Sequence, residues 1–147
     1  MKKIFLIFSM AFLGIQGYAQ KTETDKEFIK LVDDFVTHYT SQDYKNYQSL
    51  SNQFGELMGV TSFNSYEHIF EDWIVQNIEE TQFTNVDEAI DLYNKLRKSF
   101  NDEYDKMEEL DIKKKNFAEK SDDESFENIF WIILEQQLLV EYIKQDS

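Results

Sequence analysis

The sequence predicts an all-α protein: a single compact bundle of four to five helices after an N-terminal signal peptide. Three observations predict it. The residues that build tight turns are nearly missing, since the 147-residue chain has no proline and only four glycines, whereas hairpins rely on Gly, Asn-Gly or Pro at defined positions. Apolar residues recur at helical spacing along the chain. Ahead of four of these stripes, Thr24, Asn64, Asn85 and Ser121 each stand three residues before a Glu, the pattern of a capping box.

The first element is the leader. Lys2 and Lys3 precede an apolar run from Ile4 to Ile15, and Gly17 and Ala19 follow as small residues, the layout of a secretory signal peptide. The expected cut is after Ala19, so residues 1–19 are leader and residues 20–147 a single α-helical domain. A membrane span needs about twenty apolar residues, and this run is shorter, with Ser9 and Gly14 inside it. The expectation is export to the periplasm or cell exterior without stable membrane insertion. The chain has no cysteine, so no disulfide supports it outside the cell and packing must hold it.

In the remaining chain, Thr24 and Glu27 open a first helix whose Phe28, Leu31, Val32, Phe35, Val36 and Tyr39 share a face, ending near Ser41. A second, about Gln42 to Met58, aligns Tyr44, Tyr47, Leu50, Phe54, Leu57 and Met58, and Gly59 is placed to end it in a left-handed conformation. A third begins at Asn64, with Tyr66, Ile69, Phe70, Trp73, Ile74 and Asn77 on one face. A fourth begins at Asn85 and carries Val86, Ala89, Ile90, Tyr93, Leu96, Phe100, Tyr104 and Met107 as a continuous stripe. Beyond Met107 the stripe fails, and fifteen of the 23 residues from Asp102 to Glu124 are charged. The helix is expected to fray, bend or stop near Asp111, leaving a solvated connection to Ser121, where Ser121 and Glu124 cap the last helix.

That last helix, "FENIFWIILEQQLLVEYIK" from Phe126 to Lys144, is apolar on two sides. Glu135 in its middle rules against a membrane span, because an acidic residue at bilayer depth costs several kcal/mol. Phe126, Ile129, Phe130, Ile133 and Val140 form one stripe, and Trp131, Leu134, Leu138 and Tyr142 a second. Two readings follow. A helix apolar nearly all round is buried in a bundle, or the second stripe is a surface for a partner or a second copy, since Trp and Tyr are enriched at interface hot spots.

Charge limits the partners. Removing Lys2 and Lys3 takes the formal charge from −14 to −16, which disfavours nucleic acid and anionic lipid, both of which need basic patches. A basic protein is the better electrostatic match. There is no nucleophile elbow, metal-binding His-Glu-x-x-His helix, glycine-rich phosphate loop or thiol, and no cofactor is expected. His38 and His68, each four residues from an Asp, read as helix-surface residues. The acidic run Asn101 to Asp111 lacks the spacing and glycine of a calcium loop. Two functional classes remain ahead of a carboxylate-using enzyme. One is a protein-interaction module such as an inhibitor or immunity-type protein that binds a basic partner. The other is a helical carrier of an apolar small ligand.

Overall fold

The computed structural model describes residues 23–121 and 123–146, and the predicted signal peptide lies outside them. The described residues are all-helical, with no strand. Five α-helices follow in order: α1 (Glu23–Tyr39), α2 (Gln42–Met58), α3 (Phe70–Asn77), α4 (Val86–Ser121) and α5 (Phe126–Asp146), with a 3-10 helix, Ile78–Glu80, after α3. The expected single core is replaced by two separate clusters of buried residues. Helix α1 and the chain from Lys106 onward make up one compact unit, and Gln42–Asp105 another.

In the first unit, α1, the end of α4 and α5 pack around phenylalanines. The ring of Phe28 lies edge-on to Phe117, Phe126 and Phe130 at 5.7, 6.1 and 6.3 Å, the favoured geometry for aromatic pairs. Phe35 meets Phe130 at 5.0 Å and Trp131 at 6.2 Å. Helices α1 and α5 therefore run in the same direction. Helix α4 runs against α1, as the ion pairs Lys120–Glu27 and Lys113–Asp34 require. Phe28, Val32, Phe35, Leu110 and Phe130 are fully buried, and each such side chain contributes on the order of 1.5–3 kcal/mol.

The second unit gathers Phe54, Phe63, Phe70, Trp73, Phe83 and Tyr93. Phe70 and Tyr93 stack at 4.2 Å, and Phe63 stands edge-on to both, at 5.2 and 5.9 Å. Helix α2 has the predicted limits, and Gly59 closes it at φ 65°, a left-handed conformation that costs a side-chain-bearing residue but not glycine. Thr61 then donates its hydroxyl to the Glu80 carbonyl at 2.8 Å, fastening the loop to the 3-10 helix.

Three boundaries differ from expectation. Helix α4 does not stop at Asp111 but runs 36 residues to Ser121. Met107, Leu110, Lys114, Phe117 and Ser121 form a stripe spaced three and four residues apart, and Lys114 disguises it. Its stem is packed in, leaving the side chain 14% exposed, while its ammonium reaches Glu127, as long cationic side chains do over apolar surface. Phe100 and Tyr104, expected on the core stripe, are exposed. Helix α3 starts at Phe70 rather than near Asn64. The Asn64 side chain accepts from the Tyr66 N–H at 2.9 Å, an Asx turn two residues on, and Ile69 is extended at φ −90°, ψ 130°. Finally, Ser121 ends α4, its hydroxyl donating to the Ala118 carbonyl. Asp123 makes the turn into α5 by accepting from the Ser125 N–H. Of the four predicted boxes, Asn85 and Glu88 make the N-cap half of one, with the return bond falling one residue early. The Glu88 N–H donates to Asn85 Oδ1, and Glu88 Oε2 accepts from the Thr84 N–H.

Candidate functional site

The predicted partner surface on α5 divides. Leu134 is 1% exposed and belongs to the first core, so it is corrected from surface to interior: it falls on the side of α5 that meets α1 and α4. Trp131 and Leu138 are half-buried against the same core. The Trp131 indole N–H donates to Glu127 at 2.9 Å, and its ring lies under the Lys114 ammonium at 4.6 Å, a cation–π contact. Lys114 also donates to Glu127 at 2.7 Å. These bonds hold the Glu127 carboxyl below the usual carboxylate range, the Lys114 bond having the larger effect and the Trp131 bond the smaller. Trp131 is thus tied into its own fold. Tyr142, 43% exposed, is the one predicted residue that faces solvent freely.

Outside α5, the strongest surface feature is electrostatic. From Asn46 to Asn94 the sequence has no Lys or Arg but nine carboxylates, Glu56, Glu67, Glu71, Asp72, Glu79, Glu80, Asp87, Glu88 and Asp91, and all nine are exposed. Apolar side chains stand open among them. Tyr66, which follows the Asx turn at Asn64, is 99% exposed, and Ile69 and Val75 are exposed as well. Glu71, Asp72, Val75 and Gln76 are all exposed on α3, and Val75 lies four residues from Glu71 and three from Asp72, the spacings that bring side chains together on a helix. Open aromatic and aliphatic groups ringed by charge are the composition of a recognition surface. Sequence periodicity assigned Tyr66 and Ile69 to a shared helix face, and the short side chain of Asn64 was the available signal against that.

No family model matches the chain, and neither a curated protein nor a solved structure matches it. The chemistry of the side chains has to carry the functional reading. Among the described residues no group of three or more His, Asp or Glu is placed to hold a metal ion, and no helix is long and apolar enough to cross a membrane. His38 is buried beside Tyr39, not at the surface. His68 lies in the loop before α3, 3.9 Å from Glu67.

A groove of about 340 Å³ runs between α1 and α4 over Leu31 and Phe117. Its walls carry the pairs Lys120–Glu27 at 2.9 Å, Lys113–Asp34 at 3.6 Å and Lys30–Asp34 at 3.1 Å. An apolar ligand there would desolvate those charges, and pockets for such ligands are enclosed, whereas this groove is open. The groove gives the carrier reading little support.

Proposed function

We propose that this is an exported protein-interaction module that binds a basic protein through the acidic surface of its second unit, in the manner of an inhibitor or immunity-type protein. The observation that carries the reading is the run from Asn46 to Asn94, in which nine exposed carboxylates stand without one Lys or Arg. A surface of one sign attracts an oppositely charged protein over about a Debye length and raises its association rate. Tyr66, Ile69 and Val75 would supply the short-range contacts, since a few open aromatic and aliphatic anchors dominate binding energy. Glu71 and Asp72, beside Val75 on the same helix face, would meet the partner's lysines or arginines.

Export is part of the proposal and rests on the leader sequence. N-terminal sequencing of protein recovered from the periplasm or medium should read from Gln20; an intact Met1 in the membrane fraction would contradict it. For the partner, the processed protein is immobilised, basic proteins of the host envelope are captured, and the tightest is then purified. Its association rate with Glu71→Gln, Asp72→Gln and Tyr66→Ala variants is compared with that of the parent. The charge variants should slow association, and Tyr66→Ala should speed dissociation. Rates unchanged in all three would remove this surface from the account.

A further inference from the structure

Helix α5 leaves one apolar face open. Ile132, Leu139 and Ile143 are 56%, 60% and 60% exposed, and at about 100° per residue they project within about 40° of one another. Val140 and Tyr142 flank them and are also exposed. Between Asn128 and Ile143, Glu135 is the only charged residue on this face, in a chain that is 30% charged.

We propose that this face is the self-complementary interface of a symmetric dimer in which α5 of one copy lies antiparallel on α5 of the other. Three observations select a second copy as the occupant. A chain of formal charge near −16 repels itself, so a surface where two copies meet must carry almost no charge. This face nearly meets that condition, whereas a basic partner would find only Glu135 on it to pair with. The spacing is also self-matching. Antiparallel alignment about the point between Gln137 and Leu138 sets Ile132 against the partner's Ile143 and Leu139 against the partner's Gln136, as an isologous two-fold contact requires. Finally, the area is sufficient but small. If each of the five residues hid on the order of 100 Å², burying them fully would cover at most roughly 500 Å² per copy and about 1,000 Å² in the pair, the lower limit for a specific interface. The dimer is accordingly weak, dissociating in the micromolar range.

Sedimentation equilibrium of the processed protein from about 1 to 500 μM tests this. A monomer–dimer equilibrium is expected, and it should tighten as salt rises from about 50 to 500 mM, because screening weakens the repulsion between like-charged copies. Ile143→Glu and Ile132→Glu should each weaken the dimer at least tenfold while leaving the melting temperature near that of the parent, which circular dichroism verifies. Because the chain has no cysteine, the register is read directly. The double variant Ile132→Cys with Ile143→Cys should oxidise to a covalent dimer and Ile132→Cys alone should not, since the two 132 positions would lie roughly 16 Å apart along the helices, beyond disulfide reach. A monomer at every concentration overturns the proposal. So does cross-linking by Ile132→Cys alone, or an Ile143→Glu variant that self-associates normally but no longer binds the basic partner.

Discussion

The two units use charge in opposite ways. In the first, carboxylates on one helix meet lysines on another: Glu27 with Lys120, Asp34 with Lys113, Glu127 with Lys114. These pairs fix the register of three helices whose buried faces are largely phenylalanine, and phenylalanine alone distinguishes one register from the next poorly. In the second unit, the stretch from Asn46 to Asn94 holds nine exposed carboxylates and no Lys or Arg of its own, although Asp91 at its end pairs with Lys95 at 2.9 Å. Their mutual repulsion costs stability, and the aromatic cluster around Phe70 and Tyr93 has to offset it. Charge in the first unit serves the fold. Charge in the second faces outward and is available to something else.

The sharpest way to break this comparison is to remove a core ring from each unit. Phe130 and Phe70 are both buried, and truncating either to Ala should cost about 3–5 kcal/mol, a large part of the stability of a domain this size. Hydrogen exchange should show the loss concentrated in α1, the end of α4 and α5 for Phe130→Ala, and in α2 and α3 for Phe70→Ala. Uniform loss of protection in both variants would mean that the two cores unfold as one.

A smaller effect separates the two aromatics first assigned to one surface. Trp131→Ala removes a ring packed on Phe35 and Phe130 and a partner of Lys114 and Glu127, and should cost about 2–4 kcal/mol by urea denaturation. Tyr142→Ala, at an exposed site, should stay within about 0.5 kcal/mol. Equal costs would place both side chains in the same environment, contrary to the structure.

How far the sequence revealed this follows from the same residues. The helical class, the limits of α2 and the role of Gly59 were legible, because turn residues are scarce and periodicity is local. The length of α4 was not, since Lys114 occupies a core position by packing its stem, and a hydropathy pattern records only its charge. The start of α3 was obscured because an Asn three residues before a Glu can cap a helix or make an Asx turn, and Asn64 does the second. On α5 nearly every turn offers an apolar residue in all directions, so the wheel could not tell that Leu134 is inward and Ile132, Leu139 and Ile143 are outward. The net charge was plain in the sequence, but its concentration between Asn46 and Asn94 was overlooked, because a total does not locate it. That Tyr66 and Val75 stand exposed within that stretch required the backbone.

The smallest expected effect concerns pH. The Glu127 carboxyl titrates below its ordinary range in the folded protein, chiefly because of Lys114. A depressed carboxyl contributes stability above the unfolded-state value and loses it as pH falls through the folded-state value. Glu127→Gln should therefore lower stability modestly at neutral pH, by less than about 1 kcal/mol for so exposed a carboxylate, and the difference from the parent should vanish in strong acid. A difference that grows on acidification would contradict that assignment.

Under the proposed function the second unit's charge is directed at a partner and the first unit's is not. Stopped-flow association of the captured basic protein tests it most directly. Two variants are compared across about 50 to 500 mM salt, each with two carboxylates neutralised: Glu71→Gln with Asp72→Gln in the second unit, and Glu27→Gln with Glu127→Gln in the first. Only the first of these should lower the association rate at low salt and flatten its salt dependence. Equal slowing by both, or a parent rate indifferent to salt, would contradict the claim.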